Sequence, residues 1–315
     1  MSEFDLIKRY FTRPAPGAIL GVGDDAALLR VADGMELAVS TDMLVSGTHF
    51  FADTDPFKLG HKALAVNLSD LAAMGAVPRW VTLALSLPNA DADWLQQFSD
   101  GFFSLAEEHG VALVGGDTTR GLLNISITIM GEVPSGKALR RDGAQPGDDI
   151  WVSGRLGGAS LGLAHLQGEI MLPEAARAGC LAALQQPQPR VALGLALRGI
   201  AHSAIDISDG LLADLGHILA CSQLGAEIQF EAIPGPRGAS IDESVLAQSI
   251  LSGGDDYELC FTAPASRRDE IVALGAKLQL PLARIGHTRN EPGCVVFAAD
   301  GGVITTKESG YDHFA

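Results

Sequence analysis

The sequence predicts an α/β or α+β fold in two domains. Strand-like and helix-like runs alternate through both halves of the chain, which is typical of these classes. A length of 315 residues is more than one average domain and suggests about two. Between Lys137 and Asp149 the apolar pattern gives way to arginines, Asp-Gly and Pro-Gly, as in an interdomain linker. We therefore place the domains at residues 1–137 and 149–315.

The first half of the chain has distinct helix and strand signals. Apolar spacing predicts a short amphipathic helix over residues 4–11. The pair Asp33-Gly34 predicts a hairpin turn between strands at 26–31 and 36–40. A long helix should open at Asp55-Pro56 and end at Gly75. The later elements predicted in this half are a strand at 79–87, a helix at 91–109, and strands at 111–114 and 122–133.

The second half continues the alternation beyond the linker. Its predicted elements are a strand at 150–153, helices at 159–167, 173–184 and 190–202, a strand at 203–207, a helix at 211–222, strands at 226–230 and 257–261, a helix at 266–278, and a hairpin of strands 295–299 and 303–306. The hairpin turn is Asp300-Gly301-Gly302.

Charge and composition exclude several classes of partner. The net charge is -16, from 38 acidic and 22 basic residues, so the surface repels nucleic acid and anionic membranes. No apolar run reaches the ~18 residues of a membrane span, and the acidic N-terminus lacks a signal-peptide core. The four cysteines are widely spaced without a C-x-x-C pair, which predicts reduced, mostly buried thiols and a cytoplasmic location.

Six segments end an apolar run with small residues and aspartate, and we interpret them as turns. They are Gly21–Asp25, Ser40–Asp42, Asn67–Asp70, Gly115–Thr119, Asp206–Gly210 and Gly253–Asp256. Carboxylates clustered without cations would raise one another's pKa values, whereas Mg²⁺ prefers such oxygen ligands. The segments therefore predict one oxygen-rich site for several Mg²⁺ ions, suited to phosphoryl transfer or ATP use. The alternative is a set of acidic turns, some of which cap helices.

Two other motifs nearly match known signatures. The segment Gly131–Ala138 is close to a P-loop but has alanine where Ser or Thr would hold Mg²⁺, so we interpret it as a turn after a strand. The segment Gly158–Gly162 spells a hydrolase nucleophile elbow, but the required acid and histidine have no clear places after it. We interpret it as the start of a helix.

Together, the six aspartate segments resemble those of the aminoimidazole ribonucleotide synthetase superfamily, and within it of the thiamine-monophosphate kinase family. The resemblance extends to the C-terminal Gly310–Phe314. It implies a two-domain fold in which the N-terminal domain binds ATP and Mg²⁺ and its sheet forms a barrel across a dimer. The C-terminal mixed α/β domain would complete the active site. It also implies transfer of a phosphoryl group from ATP to thiamine monophosphate, with several Mg²⁺ ions, in a homodimer.

The resemblance also implies roles for individual residues. The metal ligands would be Asp25, Ser40, Thr41, Asp42, Asp70, Asp117, Asp206 and Asp209, of which Asp42, Asp117 and Asp209 would be catalytic. The ATP contacts would be Gly116, Asp117, Arg141 and Ser208. The thiamine-phosphate contacts would be His49, Asp255 and Tyr311. Asp255 stands where some relatives have glutamate, and His49 could instead be a partly buried histidine beside Phe50.

Two other classes of function stay open on the residues alone. Another ATP-using member of the superfamily is one, but selenophosphate synthetase uses a cysteine or selenocysteine near its N-terminus, and the first cysteine here is Cys180. A related dehydratase has a C-terminal cysteine, whereas this chain ends in His313-Phe314-Ala315. The second class is a metal-stabilised binding protein without activity. The sequence favours the kinase.

Overall fold

The computed structural model describes residues 2–237, 241–306 and 310–311. The chain folds into two compact units. The first comprises Met1–Leu71 and Ala76–Gly136, and the second comprises Ala72–Gly75 and Lys137–Ala315. None of the helices in the described ranges combines the length and the apolar character of a membrane span.

The first unit is built on a four-stranded sheet. Its elements are α1 (Glu3–Leu6), a π-helical turn (Ile7–Phe11), β1 (Ala18–Leu20), β2 (Leu28–Leu29), β3 (Met35–Val45), α2 (Pro56–Ala73), β4 (Val77–Leu87), α3 (Ala92–His109), β5 (Ala112–Arg120) and β6 (Asn124–Pro134). The sheet order is β3-β6-β4-β5, with β4 and β5 parallel and the other pairs antiparallel. The short strands β1 and β2 pair with each other.

The edge strand β3 places polar groups on its inner face and apolar groups on its outer face. Ser40 and Asp42 are half-buried on the side where α2 packs, and Leu44 beyond them is fully buried. The alternate side chains Leu37, Val39 and Met43 are 45%, 56% and 53% exposed. Since successive side chains of a strand point to opposite faces, β3 leaves one apolar face uncovered in the single chain.

The second unit has a seven-stranded mixed sheet. Its elements are β7 (Asp149–Ser153), α4 (Gly158–Leu166), α5 (Glu174–Gln185), α6 (Val191–Leu197), β8 (Ser203–Asp206), α7 (Leu211–Ser222), β9 (Gly225–Gln229), α8 (Glu243–Ser252), β10 (Leu259–Ala263), α9 (Arg268–Leu278), β11 (Leu282–Arg289), β12 (Gly293–Phe297) and β13 (Val303–Ile304). The sheet order is β13-β12-β9-β11-β7-β10-β8. A core of aliphatic side chains from this sheet and α7 includes Ile205, Leu215 and Ile228.

Most predicted elements are present, and the two-domain α/β prediction is confirmed. The helix from Pro56, the Asp91 cap of α3, the helix start at Gly158 and the β12–β13 hairpin all lie where they were predicted. All four cysteines are free thiols, but Cys221 and Cys294 are exposed, so the prediction that most of them are buried is wrong. The predicted helix 190–202 ends earlier, at Leu197. Three elements, β1, α8 and β11, were not predicted.

The predicted hairpin around Asp33-Gly34 is wrong. Strand β2 pairs with β1, whereas β3 pairs along its whole length with β6, from Met35 opposite Pro134 to Val45 opposite Asn124. Gly34 does occupy a turn, with φ of 79°. The turn is therefore real, but the long ladder with β6 supplies many more backbone hydrogen bonds than the two residues of β2 could.

Three of the six aspartate segments lie within regular elements and not in turns. Asn67–Asp70 lies within α2, as the predicted helix from Asp55-Pro56 to Gly75 requires, whereas Ser40–Asp42 lies in the middle of β3 and Gly115–Asp117 lies within β5. The predicted strands 36–40 and 111–114 were too short because they were ended at the first small or acidic residue. The neighbouring strands β6 and β4 continue past those positions, so the ladders continue as well.

Candidate active site

In the first unit, two carboxylates and a hydroxyl meet where α2 packs on β3. The Ser40 hydroxyl donates a hydrogen bond to Oδ2 of Asp70, and a hydrogen bond also joins Asp42 to Asp70. Burial, followed by the charge and hydrogen bond of Asp70, raises the pKa of Asp42 to about 7. Two carboxylates in hydrogen-bond contact repel unless a proton or a cation lies between them. The cluster therefore fits a divalent cation.

A buried amide on the same helix adds a second sign of such a fit. Asn67 precedes Asp70 by one helical turn and is 1% exposed. Its side-chain nitrogen donates to the carbonyl of Ala63 at 3.1 Å, but its Oδ1 has no hydrogen-bond partner among the described residues. Buried side-chain oxygens are nearly always paired, so an unpaired one on the helix that carries Asp70 is suited to a cation or its water. Asn67 opens one of the six aspartate segments, but no role of its own was predicted for it.

The other predicted ligands of the first unit lie apart from this pair. Thr41 is on the opposite face of β3, where its hydroxyl lies 2.8 Å from the hydroxyl of Thr128. Asp117 is exposed on β5, and its register with Ala84 places it on the face of Thr41 rather than that of Asp42. In the described residues, no group of three Asp, Glu, His or Cys side chains is assembled as a cation site. The complete ligand set thus stays a prediction.

Gly116 is required by the backbone of β5. Its φ is 150°, and a Cβ at this position would lie 1.9 Å from the carbonyl oxygen of Leu83. Any side chain here would separate β5 from β4. The predicted nucleotide contact at Gly116 would therefore be made by the backbone.

Asp25 and His49 lie on segments outside the main strands. Asp25 is exposed in the segment after Gly23, and its N–H donates to the neighbouring Asp24 carboxylate at 2.9 Å. His49 is half-buried, and its Nδ1 accepts the N–H of Val45 at 3.0 Å. This hydrogen bond fixes the imidazole at the end of β3 and makes Nδ1 the acceptor atom. The other ring nitrogen, Nε2, is then the one that carries the proton of a neutral ring.

In the second unit, the buried carboxylate of Asp214 organises the segment that follows β8. Asp206 ends β8 and is 4% exposed. The next four residues, Ile207–Gly210, form a loop that we call the 207–210 loop. The N–H groups of Ser208, Asp209 and Gly210 all donate to Oδ2 of Asp214, at 3.0, 3.0 and 3.2 Å. Burial raises the pKa of Asp214 to about 7, although these donors act in the opposite direction.

The predicted substrate residues Asp255 and Tyr311 bind the carbonyls of this loop. The N–H of Asp255 donates to the Ser208 carbonyl at 2.8 Å, and the N–H of Tyr311 donates to the Asp209 carbonyl at 3.1 Å. The Tyr257 hydroxyl donates to Oδ1 of Asp255 at 3.0 Å. A Cβ on Gly254 would lie 2.5 Å from the Ser208 carbonyl oxygen, so glycine is needed for this approach. The second unit therefore brings together Ser208, Asp209, Asp255 and Tyr311.

Arg141 lies apart from that group in sequence, in the exposed 3₁₀ turn Arg141–Gly143. Its carbonyl accepts the hydroxyl of Ser222 at 2.9 Å, which ties the turn to α7. Its neighbour Arg140 is paired with Asp142 through two hydrogen bonds. The backbone of Arg141 is thus anchored while its guanidinium lies at the surface.

Two acids next to Asp255 have structural roles that the sequence reading did not separate. Asp256 is buried, and its carboxylate accepts the N–H groups of Gly157 and Ala159 at 2.7 and 3.4 Å, at the start of α4. The Glu258 carboxylate accepts a hydrogen bond from Ser153 Oγ at 2.5 Å and one from Arg190 Nε at 2.6 Å. A further hydrogen bond joins it to the Arg190 guanidinium. Asp256 and Glu258 are two positions apart just before β10, so the alternation of side chains along a strand could have suggested that both face inward.

The buried Asp256 predicts a dependence of stability on pH. Burial, opposed by the two N–H donors and reinforced by the charges of Glu258 and Asp255, raises its pKa from 3.8 to about 8. Between these values the folded chain keeps a proton that the unfolded chain has lost, so the free energy of unfolding should fall as pH rises. We expect the melting temperature to fall from about pH 5 to about pH 8, and Asp256→Asn to reduce that fall.

A matched control for this prediction is Asp242→Asn. Asp242 also caps a helix, with Oδ1 accepting the N–H groups of Ser244 and Val245, but it is exposed. Its hydrogen bonds with Ser244 and Val245 lower its pKa, so it should not contribute to a loss of stability above pH 5. An equal pH slope in wild type and in Asp256→Asn would contradict the prediction.

Comparison with known proteins decides the family. Models for AIR synthase related protein match this chain at residues 23–133 for the N-terminal domain and 145–299 for the C-terminal domain. A thiamine-monophosphate kinase of Escherichia coli K12 is 48% identical over 320 residues, covering 99% of this chain and 98% of the relative. The chain belongs to the thiamine-monophosphate kinase family.

Solved structures of the thiamine-monophosphate kinase family have the same fold. The crystal structure of the enzyme from Stenotrophomonas maltophilia K279a is 49% identical, with a TM-score of 0.85 and 96% of each chain covered. A complex of AaThiL with AMPPCP and TMP is 30% identical, with a TM-score of 0.77, and covers 99% of this chain and 96% of that one. The fold described above is thus the fold of this kinase family.

Proposed function

We propose that this chain transfers the γ-phosphoryl group of ATP to thiamine monophosphate and so forms thiamine diphosphate. The observation that carries the proposal is the Asp42–Asp70 pair, where two half-buried acids lie in hydrogen-bond contact and a divalent cation would relieve their mutual repulsion. The relatives named above support the choice of substrates, since one is a kinase of thiamine monophosphate and one binds AMPPCP and TMP. The acidic pair alone would be compatible with other ATP-using enzymes.

Several Mg²⁺ ions would be held by the predicted ligands. In the first unit these are Asp25, Ser40, Thr41, Asp42, Asp70 and Asp117, and in the second they are Asp206 and Asp209. The ions would supply positive charge to the transferring phosphoryl group. A chain with a net charge of -16 needs such charge at any site for two phosphorylated ligands.

The nucleotide and the acceptor would be bound by separate residues. Gly116, Arg141 and Ser208 are proposed for ATP, with the surface guanidinium of Arg141 suited to a phosphate. His49, Asp255 and Tyr311 are proposed for thiamine monophosphate. The exposed ring of Tyr311 can stack on the cationic thiazolium ring, and Asp255 can supply the complementary charge.

The chemistry requires no general base from the chain. Phosphate oxygens of the acceptor are already ionised near neutral pH and can attack directly. We therefore propose in-line transfer in one step, in which an acceptor oxygen bonds to the γ-phosphorus as the bond to the β-bridging oxygen breaks. The role of the side chains is to position both ligands and to neutralise charge.

The proposal is tested by incubating the purified chain with ATP, MgCl₂ and thiamine monophosphate and identifying the products. Thiamine diphosphate and ADP should form together in equal amounts. The rate should continue to rise when Mg²⁺ exceeds the amount that complexes ATP, because the predicted ligands hold more than one ion. Release of ADP without thiamine diphosphate, or a covalent phosphoprotein during turnover, would contradict the proposal.

We also propose a cytoplasmic location, which the four free thiols support.

We further propose that the enzyme is a homodimer in which a second copy covers the outer face of β3. Leu37, Val39 and Met43 form an apolar stripe on an edge strand, an arrangement that natural proteins normally cover or interrupt with charge. A second copy is the partner that the family resemblance implies, with the two sheets joined as a barrel.

The substitution Val39→Asp should convert the dimer to a monomer. A carboxylate in the middle of this apolar face would lose its hydration on association without gaining a partner. Sedimentation velocity should show a sedimenting species of half the wild-type mass. Val272→Asp is a matched control, because Val272 is 59% exposed on α9 in the other unit. A Val39→Asp dimer as tight as wild type would contradict this surface as the interface.

A further inference from the structure

The 207–210 loop has all of its backbone polar groups paired. The N–H of Ile207 donates to the Glu258 carbonyl, and the N–H groups of the next three residues donate to the Asp214 carboxylate. The carbonyls of Ile207, Ser208, Asp209 and Gly210 accept the N–H groups of Tyr257, Asp255, Tyr311 and Asp214, respectively. A loop with eight internal hydrogen bonds in four residues has its conformation fixed before any ligand binds.

Asp214 is the centre of this arrangement. It lies in the first turn of α7, is 3% exposed, and accepts three consecutive N–H groups on a single oxygen atom. Its own N–H donates to the Gly210 carbonyl at 3.0 Å, so it closes the loop from both sides. Three consecutive N–H groups that converge on one point form the kind of concave site that usually binds a ligand anion. Here a side chain of the protein occupies it.

We infer that Asp214 is a positioning residue that replaces a ligand phosphate inside the 207–210 loop. It turns the backbone donors inward and leaves the side chains of Ser208 and Asp209 to face ATP and Mg²⁺. This inference rests on the proposed function and refines it, because it assigns the nucleotide contact at Ser208 to its hydroxyl and not to its N–H. The half-buried side chains of Ser208 and Asp209 agree with that assignment.

The inference has a direct test that does not depend on turnover. In the wild-type protein, hydrogen exchange should show the amides of Ser208–Gly210 as protected, although Ser208 and Asp209 are only half-buried. In Asp214→Ala these amides should exchange at least about tenfold faster, because the carboxylate that accepts them is removed. Fast exchange of these amides in wild type would overturn the inference, even if Asp214→Ala does not fold.

Kinetics separate positioning from general stability. Asp214→Ala should raise the KM for ATP and the free Mg²⁺ concentration for half-maximal rate by about tenfold or more. Asp214→Asn keeps an acceptor oxygen in place and should restore most of the wild-type values. Asp148→Ala is the matched control, because Asp148 is an equally buried carboxylate of the same unit that pairs with His202 and the N–H of Gln145. It should lower the melting temperature and leave both constants unchanged.

The outcomes also separate the inference from the proposed function. If the wild-type chain binds AMPPCP in calorimetry but does not phosphorylate thiamine monophosphate, the function proposal fails and the exchange test still decides the role of Asp214. If the wild type is active and Asp214→Ala has unchanged constants, or if Asp148→Ala changes them equally, the inference is overturned. Loss of AMPPCP affinity in Ser208→Ala, with loop protection intact, would support the hydroxyl as the contact.

Discussion

Asp42→Asn is expected to lower kcat by about 10²- to 10³-fold, the usual loss when one preorganised electrostatic group is removed. The fold should stay intact, and the structure explains why. Asp42 and Asp70 share a hydrogen bond as a carboxyl pair. An asparagine amide can donate to Asp70 in the same place and removes the repulsion between the two charges. Activity should therefore fall while the melting temperature is equal to that of wild type or higher.

Glu36→Gln is the matched control for Asp42→Asn. Glu36 is on the same strand and the same side of it, and its replacement removes the same charge, but it is exposed and lies six residues before Asp42. The Glu36→Gln variant should have the same kcat as wild type. Both variants are assayed with excess Mg²⁺ so that a weakened affinity for the ion is not mistaken for a loss of chemistry. Near-normal turnover by Asp42→Asn under these conditions would make Asp42 a structural residue.

Arg190→Met is expected to lower the free energy of unfolding by about 3–5 kcal/mol, the usual effect of removing one partner of a buried ion pair. Glu258 would then be a buried carboxylate, 7% exposed, that keeps the Ser153 hydroxyl as a side-chain partner but has lost its cation. The double variant with Arg190→Met and Glu258→Met removes both charges and should recover most of that stability. Urea unfolding of the two variants and wild type measures both effects.

The contrast between the single and the double variant is the decisive part of this experiment. If the loss comes from an unpaired buried charge, the double variant is more stable than Arg190→Met. If the two variants are equally unstable, the pair contributes through packing and the interpretation is wrong. Arg267→Met is a useful comparison, because the Arg267–Glu270 pair is exposed on both sides and should contribute less than about 1 kcal/mol.

The aspartate segments show where reading the sequence succeeded and where it failed. The types of residue and their order were enough to identify the family, because long ordered motifs rarely match by chance. Their local structure was not predicted for Ser40–Asp42 or Gly115–Asp117. Polar and small residues lower strand propensity, but pairing with a long neighbouring strand outweighs that local preference. This long-range pairing leaves no signal in the segment itself.

The motif Gly253–Leu259 shows the same limit at the level of single residues. The sequence contains three acids here within four residues, and nothing local tells them apart. In the structure Asp255 contacts Tyr257, Asp256 caps α4, and Glu258 pairs with Arg190. Their partners come from positions between 2 and 105 residues away. Roles set by such partners can be assigned only when the chain is folded.

The sequence by itself determined the fold class, the family and the acidic character of the site, because these depend on composition, periodicity and ordered motifs. Only the tertiary structure decided which carboxylate pairs with an arginine, which caps a helix and which closes a loop, because the partners of the first two lie far away in the sequence. Asp214 is the clearest case, since in the sequence it is one more acid near the start of a helix. Folding places its oxygen within reach of three N–H groups, and burial makes that contact a structural requirement.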